Sequence, residues 1–237
     1  MKRELNHVLA VILPVLISFF SETRSVAQTV VWDGSGDMTW TQPDSTSWTG
    51  NTYNSGNAVQ FLGTGAGTVT LSGIITPGSV AVAGAADYIF TGDAISGAGI
   101  TLIKSGTGVL TLLNINTYTG RTTVNGGGIL DVGTISNNAI SNSSGMLLGT
   151  SGSSGVLQGN GLFTRTLSGN ATPGAGQVAS QEGGFAARGG NLTLNFGGAG
   201  AEIALNTGGY VFGNNFIFGS TTADSKVILQ NNVNINS

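Results

Sequence analysis

Lys104-Ser-Gly-Thr-Gly-Val-Leu-Thr-Leu-Leu-Asn-Ile-Asn-Thr-Tyr-Thr-Gly-Arg-Thr-Thr-Val-Asn-Gly-Gly-Gly-Ile-Leu-Asp-Val132 holds three short apolar runs, Val109 to Leu112, Thr122 to Val124 and Ile129 to Val132. Asn114, Asn116, Gly120 and Gly126 to Gly128 separate them. Gly and Asn arriving every few residues break helices and favour turns, so the stretch predicts three strands. Leu110 and Leu112 precede Leu130 and Val132 by 20 residues, a fitting length for one coil of a stacked repeat.

The pattern extends outward in both directions. Val69-Thr-Leu71, Val80-Ala-Val82, Tyr88-Ile-Phe90 and Ile100-Thr-Leu102 are strand-sized, with turn residues such as Gly73 and Pro77-Gly78 between them. Short strands with period-two alternation at this spacing predict an all-β protein. Two architectures satisfy that description, a parallel β-helix and an antiparallel β-sandwich. Short Gly- and Asn-rich turns with no helical segment between strands favour the β-helix.

Composition agrees and closes off several functions. The 237 residues include 40 glycines, only four prolines and 8% charged residues, with a net charge of −3. The scattered basic residues form no footprint for nucleic acid. Cysteine is absent, and the single histidine, His7, lies in the N-terminal segment.

That segment has the three parts of a secretory signal peptide. Met1-Lys2-Arg3 is basic, Val8 to Phe20 is apolar, and Ser25-Val26-Ala27 offers small residues for cleavage between Ala27 and Gln28. The apolar run contains Pro14 and is shorter than a membrane span requires, so cleavage is expected over anchoring. Cleavage removes His7, leaving no base for Ser-His-Asp or Cys-His catalysis and no histidine ligand for zinc.

Trp32, Trp40 and Trp48 follow at even spacing. The first layer of a stacked protein needs covering, and large aromatics cover it well, so residues 28–58 are expected to form an N-terminal cap. The alternative is a glycan platform, with sugar rings stacked on the indoles. Asp33, Asp37 and Asp44 raise calcium as a minor reading, although their spacing matches no EF-hand loop.

Gly106, Gly108, Leu110 and Leu112, followed by Asn116-Thr117-Tyr118-Thr-Gly120, Val124, Gly127, Leu130 and Val132, form a pattern that resembles the autotransporter-associated β-strand repeat. That family is also called the passenger-associated transport repeat. The resemblance implies a right-handed parallel β-helix in the exported passenger region of a large bacterial surface protein. Asn114 departs from it, where the family more often has Gly. The second half of the chain is similar, more loosely, to segments that accompany this repeat, and residues 136–160 read as a loop.

Other chemistry finds less support. Gly63-Thr-Gly-Ala-Gly67 and Gly97-Ala-Gly99 look like phosphate loops, but no helix follows either one. A β-helical polysaccharide lyase or glycosidase would need grouped acids, and those beyond the tryptophan segment are dispersed. Arg121 reads as a solvated turn charge. Asn116 reads as a turn residue that satisfies backbone groups and stacks in an amide ladder.

The expected organisation is a signal peptide at 1–27, a tryptophan-rich cap at 28–58 and a β-helical region at 59–237, with its clear repeat at 104–132. Its expected role is a non-catalytic structural or adhesive segment, extracellular or on the cell surface in association with the outer membrane, or periplasmic if truncated. No cofactor, no metal, no nucleic acid and no integral membrane segment after cleavage are expected. The expected partners are glycans, surface proteins, or further β-helix rungs through a longer chain or self-association. No membrane barrel is visible, and Asn231 to Ser237 keep a strand-like rhythm with no cap, so the chain reads as truncated at its C-terminus.

Overall fold

The computed structural model describes residues 28–198, 201–204 and 215–234; the signal segment and its cleavage position after Ala27 lie outside them. From Gln28 onward the chain deals its strands alternately to two sheets. The first contains, in spatial order, Thr29–Trp32, Ala58–Phe61, Ser79–Val82, Thr101–Lys104, Thr122–Val124, Met146–Leu148 and Gln177–Ser180. The second contains Thr39–Trp40, Gly67–Leu71, Tyr88–Gly92, Val109–Leu112, Gly128–Thr134, Gly155–Phe163 and Gly183–Leu194. Neighbours within these two series pair in parallel. Parallel neighbours need a long return connection, and here a strand of the opposite sheet supplies it in place of the usual helix.

The offset read from the sequence is the true register, for Leu110 lies beside Leu130. Beyond the quoted repeat the circuits lengthen: Leu130 lies beside Leu157, Leu157 beside Phe185 and Leu192 beside Val227. The expectation of a loop over 136–160 needs correcting. Met146–Leu148 continues the first sheet beside Thr122–Val124, and Gly155–Phe163 continues the second. The irregular parts are the 3-10 turn Ile135–Asn137 with the residues up to Gly145, and the short turn over 149–154.

Side chains that alternate inward from both sheets form columns in the core. In the second sheet Tyr88, Leu110, Leu130, Leu157 and Phe185 stack in register, all buried. In the first sheet the column runs Phe61, Val82, Lys104, Val124, Leu148 and Ser180. Aliphatic residues dominate the middle, and aromatic rings gather toward both ends. Trp32, Trp40, Trp48, Tyr53, Phe61 and Phe90 form one group, with ring centroids 4.9–6.1 Å apart. Phe163, Phe185, Phe196 and Phe216 form the other.

The tryptophan segment also closes an edge. Trp48–Thr49 pairs antiparallel with Thr29–Trp32, covering the outer side of the first strand of its sheet. This is the one antiparallel pairing among the described strand pairs of the two sheets. Backbone groups at that edge are therefore satisfied by a strand running in the opposite direction.

Candidate functional site

The quoted repeat is built from groups that join one circuit to the next. Leu110, Leu112, Tyr118, Val124, Leu130 and Val132 are buried. Gly106, Gly108 and Gly120 sit where the preceding circuit leaves no room for a side chain. A Cβ on Gly108 would lie 2.2 Å from the carbonyl oxygen of Ala86, and one on Gly120 would lie 2.2 Å from that of Ile100. Gly127 has φ +78°, a backbone conformation that glycine adopts without strain. Thr117 is exposed, and its hydroxyl donates to Ser96 Oγ of the circuit before at 2.9 Å.

Asn116 spans three circuits. Its Oδ1 accepts the Ile95 N–H at 2.8 Å from the circuit before, and its Nδ2 donates to the Ala139 carbonyl at 2.8 Å in the circuit after. The expected backbone role is present, but the amide partner is Asn114 two residues away, at 3.0 Å, in place of an Asn above or below. Asn116→Ala strips a donor and an acceptor of their buried partners. It is expected to destabilise the fold by about 1–3 kcal/mol, read from the denaturant midpoint.

The tryptophans are not available to sugar rings. Trp32, Trp40 and Trp48 are buried, with no more than 4% of any one exposed. Trp32 Nε1 donates to the Gly65 carbonyl at 2.9 Å, and Trp48 Nε1 donates to Asp44 Oδ2 at 2.9 Å. A platform needs an open ring face, and packing against Phe61 and Tyr53 removes it.

The acids of this segment hold turns. Asp44 Oδ1 accepts from the Thr46 N–H and hydroxyl and from the Ser47 N–H, while Asp33 and Asp37 accept from Ser35 and Thr39. Hydrogen bonds from Ser35 lower the pKa of Asp33. Among the described residues, no three acids, histidines or cysteines gather to hold a metal ion.

Carboxylates elsewhere are used between circuits. Asp93 accepts the Gly73 N–H at 2.7 Å, Asp87 the Val109 N–H at 2.7 Å, Glu182 the Gly152 N–H at 2.9 Å and Asp224 the Gly189 N–H at 2.8 Å. Asp131 is buried on the second sheet, where it accepts from Gln158 Nε2 at 2.8 Å and pairs with Arg188 at 3.1 Å. Gln158 in turn receives the hydroxyls of Ser220 and Thr222, fastening that loop to the sheet. Arg121, expected as a solvated charge, donates to the Ala171 carbonyl at 3.0 Å and so ties down a later loop.

Lys104 faces the core between Val82 and Val124, fully buried. Its alkyl stem fills the column, while Nζ donates to the carbonyls of Ser105 at 2.7 Å and Gly106 at 2.9 Å. The signal was present in the alternation, since Leu102 and Lys104 are two apart on one strand and must share a face. Burial pushes the ammonium down to about 8, against the opposing charge of Asp87. The unfolded chain therefore holds this proton more tightly than the folded one. The resulting penalty is complete below about pH 8 and is relieved as pH rises toward the ordinary lysine value of 10.5. Stability of the wild type relative to Lys104→Met is expected to rise between pH 8 and pH 10; paired urea titrations would read this.

A family model described as Passenger-associated-transport-repeat matches residues 102–132. The chain carries a passenger-associated transport repeat. The matched span contains Lys104, Asn116, the tight Gly108 and Gly120 contacts and the stacked leucines, so the repeat is a pattern for joining circuits. No curated protein and no solved structure matches the chain.

Proposed function

We propose that this protein is an exported, non-catalytic passenger segment of a bacterial cell-surface or secreted protein, folded as a right-handed parallel β-helix. Its role is structural or adhesive, presenting stacked polar side chains to glycans or to other surface proteins. One observation carries the reading: the transport repeat at residues 102–132 devotes its distinctive side chains to contacts between successive circuits. Parallel pairing along two sheets supports the β-helix over the antiparallel sandwich. The basic and apolar N-terminal segment ending at Ala27 supports export. The use of Asp87, Asp93, Asp224 and Glu182 as backbone acceptors supports a role without catalysis, since a general acid or base needs a carboxyl aimed at a substrate.

Fractionation of cells expressing the protein tests the reading, together with incubation of purified protein with acidic polysaccharides and calcium. The expected result is protein at the cell surface or in the medium, and polysaccharide chains of unchanged length. Retention in the cytoplasm would overturn export, and shortened chains would overturn the non-catalytic role.

A further inference from the structure

Between the two aromatic groups the stack is interrupted on one side. After Val132 the register of the second sheet slips, the chain makes the turn Ile135–Asn137, and a longer excursion brings it back to Met146. A pocket of about 200 Å³ lies in this interruption. Buried Val132, Ile140, Met146, Leu157 and Phe163 contribute to its wall, and exposed Ser136, Asn138 and Thr164 stand at its rim.

One charged side chain lines this space of mixed polar and apolar walls. Arg165 is 8% exposed. Its Nη1 donates to the Ser144 carbonyl, and its Nη2 donates to those of Ile140 at 3.3 Å and Ser141 at 2.8 Å. These are neutral acceptors. Of the five N–H groups of a guanidinium, Nε–H and one on Nη1 keep no partner among the described residues. Among the described residues no carboxylate pairs with Arg165, and the ion pair found there is Arg188 with Asp131. Tyr118 interacts with the cation electrostatically, but burial pushes its hydroxyl up to about 12, so it carries no charge near neutrality. A buried cation without a counter-charge is costly, and three carbonyls offset its lost hydration without neutralising it.

We infer that this pocket binds a small amphipathic carboxylate, whose apolar body lies against Leu157 and Phe163 and whose acid group pairs with the free N–H groups of Arg165. The volume is below the roughly 300–1,000 Å³ of sites for drug-sized ligands, which selects a short acid. Guanidinium and carboxylate match in shape and charge, and the pairing is stronger in a partly buried site than in open water.

Two methionine methyl groups make the test direct, because Met146 lines the pocket and Met38 packs near the tryptophans. The intact protein, labelled at its methionine methyls, is titrated with hexanoate and separately with hexanol by NMR. Hexanoate is expected to move the Met146 resonance saturably and to leave Met38 in place, with hexanol binding about tenfold or more weakly for want of charge. Arg165→Gln is expected to abolish the hexanoate shift. Because Arg165 also holds the carbonyls of the 140–144 turn, Ala139→Leu serves as a second variant: it keeps the cation and fills the pocket, and it too is expected to abolish the shift. Absence of a Met146 shift in the wild type, equal response to hexanol, or undiminished binding by Ala139→Leu would each overturn the inference.

Discussion

Trp40→Ala is expected to lower the stability of the protein by about 3–5 kcal/mol, the usual range for removing a buried Trp or Phe. The indole touches four other rings, those of Trp48, Tyr53, Phe61 and Phe90, at centroid separations of 5.3–6.1 Å. It belongs to Thr39–Trp40, the outermost strand of the second sheet at this end, so a cavity there cannot be closed by a further layer of that sheet. A shift of the urea midpoint at unchanged slope would report this loss. If Trp40 and Trp48 served as a sugar platform, their replacement would chiefly weaken glycan binding and leave the midpoint in place. Burial of both indoles argues for the large stability effect.

The second large effect is expected at a glycine. In Gly120→Ala the new methyl carbon would stand 2.2 Å from the Ile100 carbonyl oxygen and 2.5 Å from its carbon. The obstacle is backbone, at the residue that leads into Thr101–Lys104, so it cannot rotate aside as a side chain would. A cost of about 3 kcal/mol is expected, at the upper end of overpacking penalties. Gly99→Ala provides the contrast. Nothing lies within 4 Å of its Cβ, and its φ of +73° leaves only backbone strain, about 1–2 kcal/mol. Thermal or denaturant unfolding of the two variants side by side separates steric exclusion from conformational preference. A smaller loss for Gly120→Ala than for Gly99→Ala would contradict the close approach of the two circuits.

Some of this architecture is legible in the residues alone because the repeating feature is a side-chain identity. Leu110 and Leu130 are alike because they occupy equivalent positions on adjacent strands, and their separation reports the length of one circuit. Burial of the tryptophans is legible for a similar reason, since large aromatics close to the start of a stack suit its uncovered layer. Later circuits hide their length. Met146–Leu148 is only three residues long and is preceded by Ser, Asn and Gly, so local composition reads as loop. Its partner, Thr122–Val124, decides the matter from a distance.

Charged residues were the least legible. Lys104 and Arg165 are types that ordinarily face water, yet both are buried against backbone carbonyls. For Lys104 the alternation from Leu102 carried the information. For Arg165 no local pattern does, because the carbonyls it meets belong to residues 140–144, more than twenty positions earlier. The acids behave likewise: Asp93 and Gly73 are 20 residues apart in sequence, and their hydrogen bond exists only once the chain has come round again.

The antiparallel pairing of Trp48–Thr49 against Thr29–Trp32 sets one edge of the first sheet against the grain of the rest. An incoming strand that follows the grain of the first sheet finds its docking edge there already occupied by one running against it. At the opposite edge of that sheet Thr166–Leu167 lies outside Gln177–Ser180 and pairs with it in parallel. The two outermost strands of that sheet therefore run in different senses relative to their neighbours, so its two edges are unlike templates: one reversed, one in line.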